Sequence, residues 1–138
     1  MTRTVILDNE AVRALMSVRH PKHAKVLAHV QVVASRKRRA VPMRVVVPTA
    51  VRVEAGWDRT DPDATFINRL RITDSALGAK AADHAAATRS VHGVSVADAH
   101  IGAVIADAAL AGAVAVVSSD PADMRAVAGT VAVTIVAI

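Results

Sequence analysis

No cysteine occurs in the 138 residues, which excludes disulfides, thiolate metal sites and a thiol nucleophile. Tyrosine is also absent, and Trp57 and Phe66 are the only aromatics, so there is little scope for a base-stacking platform of the kind common in single-strand binders. The six glycines form neither a Gly-rich phosphate loop nor a G-x-S-x-G elbow, and the six histidines include no His-Glu-x-x-His pattern. The longest apolar stretch, Ile101 to Val117, is interrupted by Asp107 and divided by Gly112, so no membrane span is expected. Met1-Thr2-Arg3-Thr4 leads straight into a short apolar run without the h-region and cleavage site of a signal peptide; a soluble, cytoplasmic protein is expected. Acidic residues are missing from Ala11 through Val53.

What is present is a core of small side chains. Hydrophobic residues make up 53% of the chain and charged residues 21%, and the length fits one domain spanning 1–138. The net charge of +5 is localised: the acid-free segment holds Arg13, Arg19, Lys22, Lys25, Arg36, Lys37, Arg38, Arg39, Arg44 and Arg52. A charge run of this kind serves either as a solvated face or as a contact for phosphates. Ten of the twelve acids follow Val53, so a cationic segment and an acidic site together suit a nucleic acid held through its backbone, with Arg36, Lys37, Arg38 and Arg39 as the candidate RNA-binding cluster.

Apolar periodicity alternates strand with helix. Strands are expected at Thr4–Asp8, Arg44–Val47, Leu70–Thr73, Ala113–Ser118 and Val131–Val136. Helices are expected at Asn9–Ser17, Pro21 to about Arg39, Thr49 to about Asp58, a short one around Ala64–Arg69, Ser75 to about Val91, Val96–Ala111 and Pro121–Ala128, with Thr49 and Ser95 as caps. The pattern predicts an α/β fold with a central, mostly parallel sheet flanked by helices.

Four carboxylates stand where apolar runs end or turn: Asp8, Glu54, Asp98 and Asp120. Carboxyl ends of parallel strands are where α/β sites form. Acids gathered there repel one another unless a cation neutralises them, and hard oxygen donors suit Mg²⁺ or Mn²⁺. Each acid also has a purely structural reading. Asp8 can form an Asx turn, Asp98 can complete a capping box with Ser95, and Asp120 before Pro121 can cap a helix, with Asp123 at its third position. Glu54 has no helical partner, since Asp58 and Ala50 flank it at four residues, and it shares a side with Ala50, Val51 and Trp57. His20, His23 and His29 are set aside as ligands because no carboxylate joins them locally.

Taken in order, Ile6-Leu7-Asp8-Asn9, Val53-Glu54-Ala55, Val96-Ala97-Asp98-Ala99-His100-Ile101 and Val117-Ser118-Ser119-Asp120-Pro121 resemble the PIN-domain ribonucleases, and among them the VapC-type toxins of toxin-antitoxin pairs. The resemblance runs along essentially the whole chain. It implies a single PIN-like domain in which Asp8, Glu54, Asp98 and Asp120 are the catalytic, metal-binding acids for one or two Mg²⁺ or Mn²⁺ ions, with Asn9 and Ser118 as the polar residues beside them. It further implies endoribonuclease activity on structured RNA such as tRNA or rRNA, inhibition of translation, a homodimer and neutralisation by a cognate VapB-type antitoxin. Glu10 departs from the pattern, standing where a small residue is usual, and the role of Asp123 is open.

Other acid-bearing α/β folds fit less well. A phospho-acceptor receiver needs an Asp ending its middle strand and a late Lys, but here that strand ends Val47-Pro48 and no Lys follows Lys80. A haloacid-dehalogenase-like phosphatase needs Asp-x-Asp, against Asp8-Asn9-Glu10. A degenerate PIN domain that binds RNA or a protein without cutting is the alternative.

Overall fold

The structure, a computed structural model, describes residues 2–34 and 42–138. In chain order the elements are β1 (Arg3–Leu7), α1 (Asn9–Met16), α2 (His23–Ala34), β2 (Met43–Pro48), α3 (Thr49–Ala55), a 3-10 turn at Pro62–Ala64, α4 (Thr65–Asn68), β3 (Ile72–Ser75), α5 (Ala79–His92), α6 (Val96–Ala109), β4 (Val114–Ser118), α7 (Pro121–Ala128) and β5 (Thr134–Ala137). The strands form one five-stranded sheet, ordered β3-β2-β1-β4-β5, with every neighbouring pair parallel. Central strands β1 and β4 read as unbroken apolar runs because both of their faces are covered.

That order creates the site. From β1 the chain moves outward through β2 to β3, returns across α5 and α6 to β4 on the other side of β1, and then continues outward to β5. The connections leaving β1 and β4 therefore diverge, which opens a crevice at the carboxyl ends of these two strands. Leu7 pairs with Val117, so the residues that follow each strand, Asp8 and Ser118–Asp120, flank the crevice.

Several boundaries differ from expectation for identifiable reasons. Helix α3 stops at Ala55 rather than near Asp58, because Gly56 adopts φ 77° and Trp57 N–H returns to the Arg52 carbonyl. Thr49 is not its cap: Pro48 holds that position, and the Thr49 hydroxyl instead accepts from Leu77 N–H at 3.2 Å. Strand β3 starts two residues late, since Arg69 and Leu70 still close the α4 turn, and Asp74 and Ser75 pair with Val47 and Pro48 instead of entering α5. Helix α2 begins at His23 rather than Pro21, and its expected continuation to Arg39 lies outside the described residues.

Edge strand β3 is held by a polar knot. Arg52 and Arg59 both donate to Asp74, at 2.8 and 2.9 Å, while their guanidinium carbons sit 5.3 and 4.2 Å from the centre of the buried Trp57 ring. Trp57 Nε1 donates to Asn68 at 2.9 Å.

Helix α6 packs against α5, α7 and α3 and also touches β1, β2 and β4. It is consequently buried on nearly every side: His100, Ala103 and Val104 are buried alongside Ile101 and Ile105. Gly102 lies where a Cβ would stand 2.8 Å from the Val127 carbonyl oxygen and 3.0 Å from Val127 Cβ. Gly102→Ala therefore pushes α6 off α7 and lowers stability by about 1–3 kcal/mol, as chemical denaturation should show. No described helix is long and apolar enough to cross a membrane.

Candidate active site

Asp8 is the fixed point of the crevice. It is 5% exposed, and each of its oxygens accepts a backbone N–H: Oδ1 from Ala11 at 2.8 Å, capping α1, and Oδ2 from Ser119 at 3.1 Å, on the far side of the crevice. Burial raises its pKa; these two N–H groups and the Ser118 hydroxyl oppose the shift, and the charge of Glu10 adds to it. Ser118 is itself fully buried and accepts from Asp120 N–H at 2.9 Å. Asp120 then caps α7, accepting from Asp123 N–H at 3.3 Å, while remaining exposed to solvent.

Asp98 occupies the first turn of α6. Ser95 Oγ accepts its N–H at 3.0 Å, but the reciprocal bond of a capping box is not formed, which leaves the Asp98 carboxylate unbonded to the main chain and turned to Asp123. Its pKa is pushed up to about 6, first by burial and then by the charges of Asp123, Glu54, Asp8 and Asp120. This one group thus feels all three of the other acids singled out in the sequence, together with Asp123. Asp123 is raised as well, by burial and by Asp120, while its contact with Asp98 works in the opposite direction.

Glu54 requires a correction. It was expected on an apolar face with Ala50, Val51 and Trp57, but α3 ends before Trp57 and Glu54 is exposed at the crevice rim. Among the described residues it has no ion-pair partner: Arg52 turns to Asp74, and Arg13 reaches the Glu54 carbonyl oxygen at 3.5 Å rather than its carboxylate.

Among the described residues, no Lys or Arg forms an ion pair with Asp8, Glu54, Asp98, Asp120 or Asp123. What tempers their repulsion is backbone: Asp8, Asp98, Asp120 and Asp123 cap or lie in the first turns of α1, α6 and α7, where helix N-termini carry partial positive charge. Beside Asp8, the Asn9 Oδ1 is buried without a hydrogen-bond partner. An oxygen-rich, mutually repelling donor set of this kind fits a hard divalent cation. Among the described residues, no three His, Asp or Glu side chains are placed to hold an ion outright. One or two carboxylates with several waters suffice for Mg²⁺, and that arrangement needs no such trio.

Two features escaped the sequence reading. His20 Nε2 lies 2.7 Å from Glu10 Oε1, and its Nδ1 accepts from Lys22 N–H at 3.0 Å, so the ring donates to Glu10. The extra carboxylate is thereby tied to the α1–α2 turn, through a contact between helices that no local pattern reveals. The second is His100, 0% exposed, which accepts from Ala50 N–H at 3.3 Å. An uncharged His embedded in the apolar run of α6 was the available signal. Arg36, Lys37, Arg38 and Arg39 lie outside the described residues. Of the described part of the basic segment, Arg13 comes up to the crevice at Glu54. A groove of about 550 Å³ adjoins the acids, lined by Thr49, Ala50, Val53, Glu54, Leu77 and Val96 among others.

No protein-family model matches the sequence, and no curated protein matches it. Solved structures do. One is a chain of VapBC2 from Rickettsia felis, solved bound to a DNA fragment from their promoter, with a TM-score of 0.62 and 13% identity over 96% of this chain and 98% of that one. Another is a chain of FitAcB from Neisseria gonorrhoeae, with a TM-score of 0.55 and 18% identity over 94% of this chain and 96% of that one. At such identities the likeness establishes the fold: the chain shares the α/β architecture of those two chains, a five-stranded parallel sheet flanked by helices, along nearly its whole length.

Proposed function

We propose that this chain is a Mg²⁺- or Mn²⁺-dependent endoribonuclease of the VapC type, cutting structured RNA such as tRNA or rRNA. We also propose that it acts as a homodimer in the cytoplasm and is neutralised by a VapB-type antitoxin. The observation that carries this reading is the state of Asp98, whose pKa is driven to about 6 by burial and four converging acids, with no paired Lys or Arg among the described residues to relieve them. The fold shared with chains of VapBC2 and FitAcB supports it.

A bound divalent ion would lower the pKa of water and neutralise charge on the phosphodiester oxygens. Asp8, held by Ala11 N–H, Ser119 N–H and the neighbouring Ser118 hydroxyl, keeps the remainder of its acceptor capacity for a ligand. Asp98 supplies a carboxylate with no competing hydrogen bond to the main chain. Glu54 and Asp120, both exposed, close the rim from α3 and α7. Ser118 holds the β4–α7 turn so that Asp8 and Asp120 face the same crevice. Arg13, beside Glu54, is the candidate phosphate contact among the described residues, and Arg36, Lys37, Arg38 and Arg39 are further candidates on the sequence alone.

The test is incubation of total tRNA and rRNA with the purified protein, with Mg²⁺, with Mn²⁺ or with a chelator. Metal-dependent cutting supports the proposal. Retention of intact RNA would instead favour the degenerate binder, and neither binding nor cutting would remove both readings. For the basic cluster, Arg36→Ala with Arg38→Ala should weaken RNA binding and reduce the slope of log K against log salt by about 1–2. Filter-binding titrations across salt concentrations measure that slope, and an unchanged slope would leave those residues as a solvated face.

A further inference from the structure

Helix α3, which carries Glu54, begins without a side-chain cap. Pro48 at the cap position has no side-chain acceptor, and the Thr49 hydroxyl is taken by Leu77 N–H. The N–H groups of the first helical turn need an acceptor when covered by protein. The one found here comes from another helix: His100 of α6, fully buried, accepts from Ala50 N–H through Nδ1 at 3.3 Å. With Nδ1 accepting, the neutral ring carries its proton on Nε2, which is buried without a completed hydrogen bond; the Ala76 carbonyl is the backbone acceptor near the ring.

Three segments thus meet on one imidazole: the β2–α3 junction, the Ala76–Leu77 loop after β3, and α6 two residues beyond Asp98. We propose that His100 is a positioning residue for the acidic site, acting as the cap of α3 and holding Glu54 in a fixed relation to Asp98. This rests on the reading of the acids as a cation site. Helix α3 packs on α1, α6 and β2, its C-terminal end is closed by Trp57 N–H on the Arg52 carbonyl, and Arg13 reaches the Glu54 carbonyl. At its N-terminal end, Ala50 N–H to His100 is the side-chain hydrogen bond that joins it to the helix bearing Asp98.

Position-specific replacement separates this role from simple space filling. Asn places its Oδ1 where His Nδ1 stands and can accept from Ala50 N–H, although it is the smaller residue. Gln is closer to His in volume but carries its polar atoms near the Nε2 position. A cap therefore ranks His100→Asn above His100→Gln, whereas packing alone ranks them in reverse. Amide exchange followed by NMR should show Ala50 N–H exchanging about five- to tenfold faster in His100→Gln than in wild type, with most of that protection restored in His100→Asn. Mn²⁺ affinity, measured without RNA, should fall about tenfold in His100→Gln and stay within about twofold of wild type in His100→Asn. In a Glu54→Gln background, His100→Gln should cost no further Mn²⁺ affinity, since its effect passes through Glu54.

Equal Mn²⁺ binding by His100→Gln and wild type would overturn the inference, as would a loss that persists undiminished in the Glu54→Gln background. Absence of Mn²⁺ binding by the wild type is a different failure, which removes the cation site and this role of His100 together.

Discussion

Asp98→Asn should lower RNA cleavage by at least about a thousandfold, equivalent to ~4 kcal/mol of transition-state stabilisation, while the protein stays folded. The substitution keeps shape and volume but removes one negative charge and weakens the remaining oxygen as a ligand. The fold tolerates it because Asp98 is tied to Ser95 through its backbone N–H, not through its carboxylate. Asp8→Asn should produce a loss of the same order; Asn keeps the cap to Ala11 N–H through its one oxygen, but its NH2 then faces Ser119 N–H, so this variant also gives up the bond across the crevice. Gel assays on tRNA and rRNA measure the loss, and circular dichroism checks the fold. Activity in both variants equal to wild type would remove these acids from the chemistry.

The same substitution should stabilise the protein in the absence of metal, and only above a defined pH. Asp98 has a folded pKa of about 6 against an ordinary value of 3.8. Between these values the folded chain holds a proton that the unfolded chain has released, so stability falls as pH rises through this window and stays lower above it. Asp98→Asn has no such penalty. Its advantage should be absent near pH 4, grow toward pH 6 and be complete at pH 7.5. Allowing for solvent around a half-buried carboxylate, the gain is about 1–2 kcal/mol, on the order of 5 °C in Tm.

Asp8, also raised by burial, shifts stability in the same direction, and buried His100, lowered by burial, in the opposite one. Both remain in wild type and variant, so the difference between the two melting curves reports the Asp98 charge together with its coupling to the acids around it. Calorimetry from pH 4 to 8 in the presence of chelator gives that difference. A variant less stable than wild type at pH 7.5 would mean that the Asp98 charge is already compensated.

Which parts of this arrangement were legible in the sequence follows from how local each signal is. The strand at Thr4–Asp8 and the helix at Pro121–Ala128 were readable because an apolar run ends in an Asp that caps the next helix, and that cap forms within three residues. Strand order was not, since it depends on which neighbours β1 takes, and no local pattern records that. Asp8, Asp98 and Asp120 announced themselves by standing at strand and helix ends. Glu54 was found for a partly mistaken reason: it has no partner on its own helix, but it is not buried, because Gly56 ends α3 before Trp57 can share its face. The Glu10–His20 contact and the His100 cap join residues ten and fifty apart, across helices whose packing only the assembled fold defines.

The central claim is that the acidic crevice binds a divalent cation, and Mn²⁺ binding followed by electron paramagnetic resonance at pH 7.5, with wild type beside Asp98→Asn, tests it most directly. The account predicts saturable binding by the wild type and an affinity at least about tenfold weaker in the variant. Equal binding by both proteins, or no saturable binding by the wild type, would contradict it.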